Sequence, residues 1–180
     1  FAITHVRIAG VEHEFSTIRG VIEDVIEIIL NLKQIRLKSK LPKDDIKEEK
    51  IYMTISGKDV FRAGEIENFT NVFHVTNPDQ IICHMEPFVN LEIELTITKG
   101  RGYVPADENT TKDLPIGVIP VDAIYTPIKK VSYSISNTRV GQKTDYEKLL
   151  LEVKTDGTIH PEDAVKEASR ILIQHLLLIT

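Results

Sequence analysis

Leu91-Glu92-Ile93-Glu94-Leu95-Thr96-Ile97-Thr98 alternates aliphatic and polar side chains without a break. Only an extended chain places every second residue on one face. The octet therefore reads as a half-exposed antiparallel strand, with Leu91, Ile93, Leu95 and Ile97 toward a core and Glu92, Glu94, Thr96 and Thr98 facing away. Shorter β-like runs surround it: AITHVRI and VEHEF before Phe15, broken at Ala9-Gly10, then residues 34–40 and IYMTIS at 51–56. FHV and IICHM punctuate an irregular stretch from 60 to 90. Beyond the octet, GVIPVDAIY, IKKVSYSIS and EKLLLEVKTDG complete the strand set, the last closing on a turn at Asp156-Gly157. KLPKDDIKEEK reads as a solvated loop or hairpin tip, and KGRGYVPADENTTKDLP as a long loop rich in Gly, Pro and charge.

Two stretches follow the helical period instead. Between Arg19 and Lys33, Val21, Ile22, Val25, Ile26, Ile28, Ile29, Leu30 and Leu32 recur at three- and four-residue spacing. This predicts a helix of about four turns, opened by Ser16 or Thr17 as N-cap, with Glu23 and Glu27 on a solvated acidic edge. The second helix starts at Pro161, followed by Glu162 and Asp163 where the helix dipole favours acids. Its apolar stripe is Ala164, Val165, Ala168, Ile171, Leu172, His175, Leu176 and Ile179. Six or so aliphatic side chains at ~1.5–3 kcal/mol each make such a stripe worth roughly 10 kcal/mol when buried, so it is expected to pack on its own sheet and on a symmetry mate. Strands together with two helices predict an α+β fold, with a module boundary near Tyr125-Thr126-Pro127.

Composition narrows the function classes. The 180 residues are 42% hydrophobic and 27% charged, and isoleucine alone occurs 25 times, so a β-branched aliphatic core is available. A net charge of −5 speaks against a broad cationic surface for nucleic acid. One cysteine, Cys83, excludes an internal disulfide and any multi-cysteine metal centre. No apolar run approaches the ~20 residues of a membrane helix. The sequence opens at Phe1 inside a strand-like run, without a leader pattern, and reads as an excerpt of a longer cytoplasmic protein.

Catalytic and ligand-binding patterns are weak. Lys99-Gly100-Arg101-Gly102 lacks the third glycine of a dinucleotide fingerprint and the ending of a P-loop, and reads as a turn whose glycines take positive φ. Cys83 and His84 adjoin with His74 nine residues upstream, but neighbours on a strand face opposite ways, which suits a core cysteine beside a hydrogen-bonded histidine. No nucleophile elbow is present, and nothing selects one carboxylate pair over another. The expectation is no catalytic residue, no metal and no cofactor. Two other functions stay in view: a stand-alone module that binds a regulatory protein through its acidic loop, and a small-molecule enzyme built on the KGRG turn.

Five strings, in order, resemble a known family: HEFSTIRGVIEDVIEIILNLK at 13–33, IICH at 81–84, GRGYVPA at 100–106, the stretch from PIG at 115 to EKL at 149, and TDGTIHPEDAVKEASRIL at 155–172. The chain is similar to the N-terminal region of bacterial RNA polymerase alpha subunits. That resemblance implies an inserted mixed α/β domain, residues 1–126, within a discontinuous dimerisation domain of antiparallel sheet plus helices. Residues 127–180 would be the returning half, with its first half upstream of this sequence. It implies a non-catalytic scaffold of DNA-directed RNA polymerase, cytoplasmic and nucleoid-associated, that pairs with a second alpha copy and recruits the beta and beta-prime subunits. DNA contact would fall to a C-terminal domain outside this sequence, and no membrane is involved.

Carried over by position, the resemblance assigns beta and beta-prime contacts to Glu27, Lys33, Val121, Ile128, Arg139 and Lys148. The stretch Arg139–Lys148 reads as a charged loop flanked by strands, suited to an interface rim. The dimer helix would use Ala164, Ala168, Ile171, Leu172, His175 and Leu176. Asp107, Glu108 and Asp113 sit where some family members meet an activator. His160 stands where an N-capping Asp is expected before Pro161, so that helix start is expected to be weaker unless Thr158 substitutes.

Overall fold

The computed structural model describes residues 1–41, 46–110 and 114–179. Part of the charged segment before Ile46, Asp113 with its two predecessors, and Thr180 lie outside the described residues. The chain divides into two units, Phe1–Thr126 and Pro127–Thr180.

In the first unit the elements run β1 (Ala2–Ile8), α1 (Val25–Lys33), β2 (Leu37–Ser39), β3 (Glu48–Ser56), β4 (Val60–Arg62), a 3₁₀ helix (Ala63–Phe69), β5 (Phe73–Val75), β6 (Ile81–His84), β7 (Asn90–Thr98), β8 (Tyr103–Val104), α2 (Ala106–Asn109), β9 (Val118–Pro120) and β10 (Ala123–Ile124). The strand read from the alternating octet is β7, near the centre of an antiparallel sheet of order β3-β7-β1-β9. Tyr52 pairs across from Glu94 and Val6 from Leu95. Leu91, Ile93, Leu95 and Ile97 all go into the core, as their spacing requires. Thr96 is buried as well, so the polar face of the octet is not wholly wet. The core continues through Val25, Ile28 and Leu32 of α1 to Phe61, Phe73 and Ile82 on the short ribbons β4-β6 and β2-β5.

Several elements depart from the sequence reading. The first helix begins at Val25, not near Arg19. Gly20 has φ of +83°, and Val21 makes an isolated bridge to Met85. Asp24 rather than Ser16 or Thr17 is the cap: its Oδ1 accepts from the Glu27 N–H at 2.8 Å, and Glu27 Oε2 accepts the Asp24 N–H at 3.2 Å. This reciprocal box outcompetes further helix because it satisfies two orphan amides at once. Glu23 is therefore not on the helix and shares no edge with Glu27. VEHEF forms no strand, and β3 already starts at Glu48, within the charged run read as a loop. Of the two glycines in KGRG only Gly102 has positive φ; a Cβ on Gly100 would come within 2.5 Å of the Tyr125 ring.

The second unit is β11 (Ile128–Val140), β12 (Lys143–Thr155) and α3 (Pro161–Leu176). The stretch Arg139–Lys148 is not a loop. Strand pairing runs to Val140 opposite Lys143, and the turn is Gly141-Gln142, where Gly141 takes φ of +64°. His160 offers no side-chain cap to α3, and the Thr158 hydroxyl is turned to the Asp156 carboxylate. No described residue from 127 onward is buried. The stripe is only partly covered within the chain: Ala164 and Ile171 are half-buried, while Leu172, Leu176 and Ile179 are exposed.

Gly10 and Gly20 both need the left-handed region, but only Gly20 is crowded: a Cβ there would lie 2.6 Å from Val89 Cγ2, whereas nothing approaches Gly10. Each alanine should lose about 1–2 kcal/mol to backbone strain, with Gly20→Ala losing more through the clash. Urea unfolding of the two variants checks this, and equal losses would contradict it.

Candidate functional site

α1 is apolar around more of its circumference than the core can use. Val25, Ile28 and Leu32 point inward, while Ile26, Ile29, Leu30 and Lys33 fall at helical spacing on a second face. That face, with Phe15 and Glu14 before it and Ile119, Pro120, Val121, Asp122 and Ala106 opposite, encloses an open groove of about 260 Å³. Its apolar rim is exposed, Phe15 at 75% and Leu30 at 50%. An aliphatic groove with a few polar groups at its margin suits an apolar segment of another protein better than a small charged ligand.

One ion pair crosses the groove. Lys33 Nζ donates to Asp122 Oδ2 at 2.6 Å, and the Ala106 N–H donates to Asp122 Oδ1 at 2.9 Å. The Lys33 ammonium, joined by the Ala106 amide, holds the Asp122 carboxyl below the ordinary range despite some burial. Behind it, Asn109 Nδ2 donates to the Val121 carbonyl at 2.9 Å and the His5 ring donates to the Asn109 carbonyl at 3.0 Å. Helix α1, the Val121-Asp122 segment that follows β9, the acidic turn α2 and β1 are thus tied together.

The structure brings two of the sequence-derived contact residues, Lys33 and Val121, to this groove. Val121 is only 2% exposed and forms part of its wall. Glu27 lies exposed on the first turn of α1, engaged in the capping box. In the second unit, Ile128 opens β11 opposite Thr155, while Arg139 and Lys148 are exposed on the two strands of the hairpin, with Lys148 paired to Ser136. Ala164 and Ile171 are half-buried; Ala168, Leu172, His175 and Leu176 are exposed, and the stripe continues through Leu178 and Ile179 at 83% and 82% exposure. Asp107 and Glu108 are exposed on α2, and Asp113 lies outside the described residues. Asp122, Phe15 and Leu30 were not singled out from sequence. A lone acid within the apolar run VIPVDAIY and the surplus apolar face of α1 were the available signals.

The Cys83 region is organised differently from a metal or nucleophile site. Burial, with the charges of Glu23 and Glu65 adding to it, pushes the Cys83 thiol up to about 12. His84 donates from Nδ1 to Glu23 Oε1 at 2.7 Å and from its backbone N–H to Oε2 at 2.6 Å. Burial opposes ionisation of Glu23, but these two hydrogen bonds outweigh it and hold the carboxyl below the usual range. His74 turns to Glu67 at 2.9 Å instead. Among the described residues no three His, Cys, Asp or Glu side chains stand together to hold a metal ion, and no helix is long and apolar enough to cross a membrane.

The first unit is thus an α+β module that carries an open apolar groove on one side. Residues 6–126 match the family described as RNA polymerase Rpb3/RpoA insert domain. The chain belongs to this family. It is 54% identical over 178 residues to a protein of Cytophaga hutchinsonii named DNA-directed RNA polymerase subunit alpha, a match covering 99% of this chain and 53% of that one. A protein of the same name from Bacteroides fragilis is 53% identical over 99% of this chain and 53% of its own length. Another from Salinibacter ruber is 46% identical over 97% of this chain and 52% of its own. The chain spans about half the length of the curated relatives it matches.

Because the folded-state pKa of Asp122 is depressed, its charge adds stability above the ordinary Asp range, and that contribution is lost as pH falls through the folded value. Asp122→Asn should be the less stable chain at pH 7, with the gap closing below about pH 4. Denaturant midpoints across pH measure this; a gap constant down to pH 2 would contradict it.

Proposed function

We propose that this chain is part of an alpha subunit of DNA-directed RNA polymerase, acting in the cytoplasm as a non-catalytic scaffold. It pairs with a second alpha copy and recruits the beta and beta-prime subunits. The observation that carries this reading is the second unit: a long hairpin and a helix whose apolar side chains are uncovered in the single chain. Val131, Tyr133, Ile135, Leu149, Leu150 and Leu151 on the strands, and Leu172, Ile173 and Leu176 on the helix, are all exposed. At ~25 cal/mol per Å² such surface drives association. The names of the relatives give the assembly its class.

On this reading 1–126 is the insert domain and 127–180 the returning half of the dimerisation domain. α3 supplies the contact with the second alpha copy. The groove at Lys33 and Val121, with Glu27, Ile128, Arg139 and Lys148, meets the large subunits. The acidic turn with Asp107 and Glu108 is left as a solvated element that an activator could use.

Three experiments test the proposal. The chain in its complete reading frame, co-expressed with beta, should give a complex whose light-scattering mass corresponds to two alpha and one beta. A monomer that ignores beta would overturn the scaffold role and favour a stand-alone regulatory module. Lys33→Glu and Lys148→Glu should each weaken capture of the large subunits by about tenfold. Unchanged capture by both would remove these contact assignments. Leu172→Glu with Leu176→Glu should convert the dimer to monomer without unfolding the first unit; a persisting dimer would place the interface elsewhere.

A further inference from the structure

We propose that Asp122 is the positioning residue of the groove, setting the Lys33 ammonium for a partner's hydrogen-bond acceptor while locking α2 beside it. This rests on reading the groove as a large-subunit contact. Three groups converge on the one carboxylate: Lys33 Nζ at 2.6 Å, the Ala106 N–H at 2.9 Å, and the Tyr103 hydroxyl. The Lys33 side chain is 19% exposed and that of Asp122 is 32% exposed, so the pair sits in the wall of the groove with its outer edge accessible.

A lysine on a surface helix samples many rotamers, and ordering it on binding weakens the complex. Here that ordering is already done within the chain. An ammonium has three donors. With one directed to Asp122, the remaining donors can serve an acceptor arriving over the groove. Asp122 also balances the charge of Lys33, so the fitting acceptor is neutral: a backbone or amide carbonyl beside an apolar segment that occupies the space between Leu30, Ile26 and Ile119. A partner carboxylate would be repelled by Asp122 at the same spot. Because Oδ1 holds the first amide of α2, losing the carboxylate charge frees Lys33, while an amide in its place keeps an acceptor for Ala106.

The test is a double-mutant cycle on the full-frame chain, with affinity for purified beta and beta-prime measured for wild type, Lys33→Ala, Asp122→Asn and the double variant. Lys33→Ala and Asp122→Asn should each lower affinity about tenfold, and Asp122→Asn should add less than about twofold once Lys33 is gone. Asp122→Glu, which restores the charge, should recover part of the loss and guards against misfolding of the amide variant. The loss from Lys33→Ala should also vary little with salt, as a neutral acceptor requires. Equal losses from Asp122→Asn in both backgrounds would mean that Asp122 acts independently of Lys33, and would overturn the positioning role while leaving the groove reading intact. An unchanged affinity for Lys33→Ala would overturn both.

Discussion

Strand β7 is paired on both edges, to β3 along its full length and to β1 over most of its own, and this double pairing is the constraint on which the first unit depends. It fixes which side of the sheet faces the core, because a one-residue slip would turn Leu91, Ile93, Leu95 and Ile97 outward. With that face set, α1 has one surface to cover, and it covers it with Val25, Ile28 and Leu32. The second apolar face of α1 is then left over, and becomes the groove.

The two units meet the hydrophobic demand of their sequences in different ways. The first buries its aliphatic residues within its own fold. The second consists of a two-stranded ribbon and a single helix, and neither can enclose a core alone. Its leucines are as apolar as those of the first unit, yet they remain exposed, as do Ile135, Ile173 and Ile179. That exposed apolar surface is what the proposed dimerisation half would bury.

Much of this was legible in the residues. The period-two octet and the stripe after Pro161 each needed only local spacing to be read, and both lie where expected. The start of α1 was not legible from spacing, because Val21 and Ile22 continue the helical period while Gly20 and the Asp24–Glu27 box break it. Spacing records hydrophobicity; the break is set by hydrogen bonds to backbone amides. The hairpin tip was misread for a related reason. Arg139, Lys143 and Lys148 look like a solvated loop, but β pairing extends through charged residues when both faces of a ribbon are wet. The Lys33–Asp122 pair joins residues 89 apart, a separation that no local pattern carries.

We propose that the second unit is completed by the upstream half of its own domain together with another copy, whereas the first buries a core by itself. Amide hydrogen exchange on the full-frame chain, followed from dilute to concentrated solution, measures this directly. β11, β12 and α3 should gain protection as the dimer forms, while β1, β3 and β7 should be equally protected throughout. Protection of α3 that is already maximal in the dilute monomer would contradict it.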